Sequence, residues 1–347
     1  MNSQTEETLD HYIAVDWSQR NMAIARMTAK SQKIEVIDVP TDLKGLQLYL
    51  SKLVGKKALT FEESTCSQWL YTELNEHVDQ LVVCDPYRNS LLKDGPKSDK
   101  IDASKMVQLL RAGLLKPVFH SGDEFIYLRK VVSGYQDLVK SGVRLKNQRS
   151  AMFRANGMFA KKNSKLENPA EKFVLEGLDR SIEAFEEEKK RYEKEISKLC
   201  KKHKVLKNLI SVPGIGEIGA IKIASRVVDP DRFQSKGDFL SYCGLIRLEK
   251  MSGGKSYGKK PSRYCSMLKD VFKFAALNAT IAASETTFRD YYEYLIQEKN
   301  YPAHNARNAV ARRVAIISWG ILKSGKPFQP KPNWRRSEEV IQKKSKR

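Results

Sequence analysis

Apolar positions in the first 120 residues switch between a period of two and a period near four. Residues 11–16, 22–27 and 33–39 read as three strands, and their short connections suit an antiparallel meander. Residues 42–54 predict a helix with Leu43, Leu46 and Leu50 along one stripe and Thr41 or Asp42 as its cap. An apolar strand at 58–61, a helix near 68–77 and a buried strand at 81–84 follow. After a loop at 92–98, a last helix runs from about Asp99 to Ala112.

Three strands, helix, strand, helix, strand, helix is the element order of the RNase H fold, so the N-terminal domain is expected to be α/β and RNase H-like over residues 1–120. Beyond it the pattern is helical. Residues 138–166 contain no acidic side chain. Residues 173–210 read as one long charged helix in which Ile182, Phe185, Lys189, Tyr192, Ile196, Leu199, His203, Leu206 and Ile210 keep a 3–4 spacing. Most of these positions are apolar, which predicts a coiled-coil seam that pairs within one chain or between protomers. The expected organisation is therefore a basic helical and coiled-coil segment at 121–207, a mainly α-helical domain at 208–330 and a basic tail at 331–347. Within the C-terminal domain a Gly-rich loop is expected at 252–258, with its last helices at 285–299 and 303–323.

Charge sharpens this division. The 347 residues carry 62 Lys and Arg against 41 Asp and Glu, a net +21. Residues 1–120 hold 15 basic and 16 acidic side chains, whereas residues 121–347 hold 47 and 25. An excess confined to the later part points to a polyanionic partner, since each phosphate neutralised releases counterions. Within 138–166 the basic positions Lys140, Arg144, Lys146, Arg149 and Arg154, and then Lys161, Lys162 and Lys165, are interleaved with Phe153 and Phe159. That composition suits a structured nucleic acid, whose phosphates bind cations and whose splayed bases stack. No apolar run approaches the ~18 residues of a membrane span. The polar, acidic start MNSQTEETLD resembles neither a secretory signal nor a transit peptide, and five scattered cysteines fit neither a disulfide framework nor a zinc ribbon. A reducing cytoplasm fits these residues.

The candidate chemistry lies in four carboxylates. Asp16 ends one strand in YIAVDWS and Glu62 ends another in LTFEES, while Asp99 and Asp102 stand at i and i+3 in KSDKIDASK, on one helical face. If the first and fourth strands are neighbours, all four converge at the sheet's edge. Hard anionic oxygens without a nearby His or Cys favour Mg2+ or Mn2+ over zinc, and two such ions support in-line displacement at phosphorus. Further on, LISVPGIGEIGA at 209–220 resembles a helix-hairpin-helix, in which Gly214 and Gly216 let a DNA phosphate approach backbone N–H groups. Ser252 then precedes Gly253–Gly254 among Lys250, Lys255, Lys259, Lys260 and Arg263. A serine among cations is able to attack phosphorus, although a flexible connection or a passive phosphate contact fits the same residues.

Taken together, D…E…D-x-x-D, a helical middle, PGIG and then GL…SG resemble the insertion-sequence one-ten family of transposases and the related Piv-type DNA invertases, over about residues 12–325. The resemblance is carried most specifically by KSDKIDASKMVQLLRAG, ISVPGIGEIGA and NAVARRVAIISWGIL. It implies a RuvC-like first domain with Asp16, Glu62, Asp99 and Asp102 as metal ligands, and Ser252 as the nucleophile that holds DNA through a phosphoserine link. It also implies donor and target DNA as substrates, a structured bridge RNA as guide, and a homodimer that assembles into a homotetramer. The chain departs from the family pattern after Gly244, where Ile246 and Arg247 replace a proline-containing segment, and KKPSRYCSMLKD stands where a Lys-x-Gly-Asn run is usual. Two rival readings remain: a nuclease of the Holliday-junction-resolvase kind without a covalent intermediate, and a nucleic-acid-binding scaffold with a retired catalytic domain.

Overall fold

The computed structural model describes residues 9–89, 98–120, 125–158, 166–260, 262–281 and 286–330. Most of the expected 92–98 loop, the basic positions Lys161, Lys162 and Lys165 with Phe159, and the tail at 331–347 lie outside the described residues. The chain divides into two compact units, Met1–Asp123 and Glu124–Arg347.

The first unit is built on a five-stranded sheet. Strands β1 (His11–Trp17), β2 (Asn21–Thr28) and β3 (Ser31–Pro40) form the antiparallel meander, followed by helix α1 (Leu43–Lys52), strand β4 (Lys57–Glu62), helix α2 (Ser67–Leu74), strand β5 (Gln80–Cys84) and helix α3 (Asp99–Arg111). The strand order is β3-β2-β1-β4-β5, with β1, β4 and β5 parallel. This is the order and direction pattern of an RNase H-like fold. Asp42 proves to be the N-cap of α1, accepting from the amides of Lys44 and Gly45.

Strand alternation decides what each face holds. Ile13, Val15, Met22, Ile24, Leu59, Phe61 and Val83 point to one side and pack with Leu46, Leu50, Leu70 and Leu74 of α1 and α2. Ala14, Ala23, Ala25, Met27, Ala58 and Cys84 point to the other and meet Ala103, Met106, Val107 and Leu110 of α3. The alanines on this second face let α3 lie close to the strands. Its far end is fixed by Arg111, whose guanidinium donates to the carbonyls of Ser31 (2.7 Å) and Ala29 (3.0 Å) at the β2–β3 turn.

In the second unit, α4 (Phe125–Ala155) and α5 (Pro169–Lys202) run antiparallel. The seam read from the sequence faces α4 of the same chain: the Phe185 ring fills the space a Cβ on Gly142 would occupy, and Tyr192 lies 6.1 Å from Tyr135, ring to ring. The single helix expected at 173–210 is interrupted. His203 is extended (φ −93°, ψ 120°), separating α5 from α6 (Lys204–Ile210), and the break turns Leu206 and Leu209 into the core. That core also takes residues from α7 (Glu217–Val227), α8 (Lys236–Tyr242), α9 (Ser266–Ile281), α10 (Thr287–Gln297) and α11 (Ala303–Ser324). Leu128, Val132 and Tyr135 of α4 belong to the same core as Phe272 of α9 and Val314 of α11, so the segment at 121–207 packs with the helices after it.

The expected Gly-rich loop at 252–258 is instead a hairpin of β6 (Leu248–Ser252) and β7 (Lys255–Lys260). Gly253 and Gly254 have φ of 55° and 76°, the paired left-handed conformations of a two-residue type I′ turn, which glycine adopts without steric cost. Among the described residues no helix is long and apolar enough to cross a membrane.

Gly214 combines φ +91° with a packing constraint, since a Cβ there would lie 2.2 Å from the backbone carbonyl oxygen of Ala275 on α9. Gly214→Ala is expected to destabilise the second unit by about 2 kcal/mol or more, because backbone cannot yield as a side chain would. Urea unfolding followed by helical circular dichroism checks this, with Gly216→Ala, where a Cβ meets open space, as the mild comparison.

Candidate active site

The alternation that sorts the core also sorts the acids. Ala14 faces α3, so Asp16, two residues on, does too; Ala58 faces α3, and Glu62 follows in phase. The β1–β4 register pairs Val15 with Phe61, which sets Asp16 and Glu62 side by side at the carboxyl ends of parallel strands. On α3, Asp99 and Asp102 sit one turn before the buried Ala103 and Met106, on the face that meets the sheet. Asp99 is not consumed as a cap. Ser98 takes that position and accepts from the Ile101 amide (3.3 Å), leaving both aspartates in the first turn, where the helix dipole favours negative charge.

The four charges sense one another. Burial, then the like charges of Asp99, Glu62 and Asp102, raise the Asp16 carboxyl from 3.8 to about 6. Asp102 Oδ1 is buried without a hydrogen-bond partner, with Lys105 Nζ 4.0 Å away. Among the described residues no three His, Cys, Asp or Glu side chains are drawn tightly enough together to enclose a metal ion. The carboxylates thus lie near enough for each to raise the cost of ionising Asp16 without by themselves enclosing an ion. An orphaned carboxylate oxygen and a carboxyl held up by its neighbours are what a divalent cation would relieve, and an all-oxygen donor set fits Mg2+ or Mn2+. Burial pushes the thiol of Cys84, next to Glu62 across β4–β5, up to about 12.

The structure adds residues that the pattern did not single out. Glu63, directly after Glu62, pairs with the buried His120 (Nε2 to Oε2, 3.1 Å), and the His120 ring lies 5.6 Å from Tyr71 of α2. This pair holds the chain just past β4. Lys105 was legible as the i+3 neighbour of Asp102, but no local signal joined His120 to Glu63.

Ser252 is the last residue of β6, opposite Lys255, and every residue of both strands is exposed. The register, with its irregularity between Glu249 and Met251, places Lys250, Ser252, Lys255 and Tyr257 on one face, while Lys259 pairs with Glu249 (3.5 Å) on the other. Lys260 and Arg263 are exposed beside them. Gly216 is the N-cap of α7, whereas Gly214 is accounted for by its contact with α9. On α4 the basic residues divide. Lys146 and Arg149 pair with Glu186 and Asp179 of α5, while Lys140 (3.3 Å from Asp137), Arg144 and Arg154 are exposed.

A mixed five-stranded sheet with four carboxylates gathered at one edge defines an RNase H-like domain of the DEDD type. Residues 13–155 match the family model of DEDD transposases of the IS110 group, and residues 206–293 match the model described as the transposase IS116/IS110/IS902 family. The chain belongs to the IS110 family of transposases. A Sinorhizobium fredii (strain NBRC 101917 / NGR234) protein named as a transposase, y4pF/y4sB, is 25% identical over 143 residues. That match covers 40% of this chain and 37% of the relative, so the chain spans less than half of the relative's length.

The raised Asp16 carboxyl has a definite sign. The unfolded chain loses this proton near 3.8 and the folded chain near 6, so stability falls as pH rises through that window and the penalty is complete above it. Asp16→Asn is therefore expected to unfold later than the parent above pH 6 without metal, by a few degrees or on the order of 1 kcal/mol. The gain disappears below pH 3.8. Adding Mg2+ or Mn2+ should stabilise the parent and not the variant, as thermal unfolding with and without EDTA measures.

Proposed function

We propose that this chain is the transposase of a mobile element, cutting and rejoining DNA. The observation that carries the reading is the gathering of Asp16 with Glu62, Asp99 and Asp102 at one sheet edge, closely enough for each to raise the Asp16 carboxyl. The four would hold divalent Mg2+ or Mn2+, which supplies Lewis acidity for activating an attacking oxygen and stabilising the leaving one. Lys105 lies close enough to adjust the charge at Asp102, and the Glu63–His120 pair keeps Glu62 at its strand end.

Ser252 is assigned as the nucleophile. Its Oγ attacks phosphorus, the phosphorus bond to the neighbouring sugar oxygen breaks, the serine proton passes to that departing oxygen to leave a DNA hydroxyl, and the strand remains attached as a phosphoserine diester. Attack on that diester by a DNA hydroxyl returns the proton to Ser252 and rejoins the strand. Lys250, Lys255 and Tyr257 share the Ser252 face of the hairpin, so two cations would meet the charge on the phosphate. The family membership supports this assignment, as does the exposed position of the serine at a tight turn.

The exposed Lys140, Arg144 and Arg154 are assigned to nucleic acid, as are Lys260, Arg263 and the N-cap region at Gly216; Lys146, Arg149 and Lys259 would exchange their carboxylate partners for phosphates. A structured RNA guide and assembly of dimers into a tetramer complete the reading. A hydrolytic nuclease of the resolvase kind is favoured only by the acids forming their cluster within the first unit alone.

Asp16→Asn and Asp102→Asn are expected to reduce strand cleavage by at least 100-fold, roughly the scale of losing a main electrostatic contributor. EDTA should do the same. Ser252→Ala should abolish a protein–DNA adduct on denaturing gels while leaving DNA affinity within about twofold. An adduct of parental yield in that variant, or hydrolysed ends without rejoined strands, would remove the serine assignment. Sequencing of copurifying RNA tests the guide: a single structured species supports it, and a heterogeneous mixture rejects it.

A further inference from the structure

Strand alternation puts Trp17 on the sheet face opposite to its neighbour Asp16, where it packs against the core shared with α1 and α2. There its ring meets Trp69 edge to face, with centroids 5.8 Å apart and planes at 72°. Trp69 belongs to the first turn of α2, which begins just after the short 63–66 connection from Glu62. Both indoles therefore stand at the carboxylate end of the sheet. Trp69 is 45% exposed, a large apolar surface to leave in water beside a reaction centre. Tyr87, 74% exposed, follows the end of β5 at the same edge.

We infer that Trp69, braced by Trp17, is a stacking platform for an unpaired base of the DNA strand being cut, next to the phosphate at the four carboxylates. The inference rests on the proposed function of that site. Charge explains why stacking is needed there. Residues 1–120 carry 15 basic and 16 acidic side chains, so this unit lacks the excess of cations with which the rest of the chain can hold a polyanion. An indole grips a base without adding charge, and the near-perpendicular contact with Trp17 holds the Trp69 ring while 45% of that residue remains exposed. Trp17 follows Asp16 directly on β1 with its side chain on the opposite sheet face, so a strand that crosses the sheet edge at the carboxylates would reach the indoles on the other side.

The test uses the full chain with Ca2+ in place of Mg2+, and a duplex with a short unpaired segment carrying 2-aminopurine. The parent is expected to quench the probe, and Trp69→Ala to lose the quench with about tenfold weaker binding, the usual scale for one base stacked on an aromatic. Trp69→Phe should recover most of both, which a merely structural role for the indole would not require. Unchanged quenching and affinity in Trp69→Ala would overturn the platform, as would tighter quenching of an RNA probe of the same sequence. Metal-dependent cleavage is scored separately with the parent and Asp16→Asn. Failure of the proposed function therefore shows as no cleavage by the parent, and failure of the platform as no effect of Trp69→Ala.

Discussion

Four carboxylates gathered at one sheet edge repel one another, and the first unit is arranged to hold them there. Asp16 bears the cost most visibly, its carboxyl raised to about 6 by burial and by its three neighbours. The fold offsets that repulsion with neutral packing elsewhere. The alanine-rich face of β1, β2 and β4 brings α3 close, Ser98 caps the helix so that neither aspartate is used for it, and Arg111 fixes the opposite end. The arrangement is strained only in charge, and a divalent cation is the simplest species that would relieve it.

The second unit answers a different constraint. Its helices pack through small residues, as where Gly142 admits the Phe185 ring and Gly214 admits the Ala275 carbonyl. From this dense core projects the β6–β7 hairpin, exposed on every residue. Two strands alone are marginal in water, and the type I′ turn and cross-strand pairs fix the shape of the hairpin. Under the proposed function, Ser252 carried on such an arm would meet its phosphate without the core having to open.

Charge follows the same division of labour. The unit with the carboxylates is nearly neutral overall, and the excess of Lys and Arg belongs to the later residues. Some of that excess is already engaged, since Lys146 and Arg149 pair with carboxylates of α5 and help to align the two long helices. Surface pairs of this kind contribute little to stability, so exchanging a carboxylate for a phosphate costs little. Under the proposed function, the α4–α5 surface would serve as a structural seam and as a polyanion contact at different moments.

The sequence by itself determined the N-terminal elements, because alternation with period two and the leucine stripe of α1 follow from local sterics and burial. It also placed the four acids at element ends, which is enough to bring them together once β1 and β4 are parallel neighbours. It did not show which residue caps α3, a role Ser98 takes in the structure, since Ser and Asp are both good caps. The helix break at His203 was invisible because a regular 3–4 spacing passes through it, and only the demand of the core for Leu206 and Leu209 turns the chain. The hairpin around Ser252 reads as a loop in sequence, because glycines and lysines carry little strand propensity and the pairing partner fixes the conformation. Contacts such as Glu63 with His120 and Trp17 with Trp69 join residues far apart in the chain. No local pattern encodes them, and tertiary structure alone set what surrounds the carboxylates.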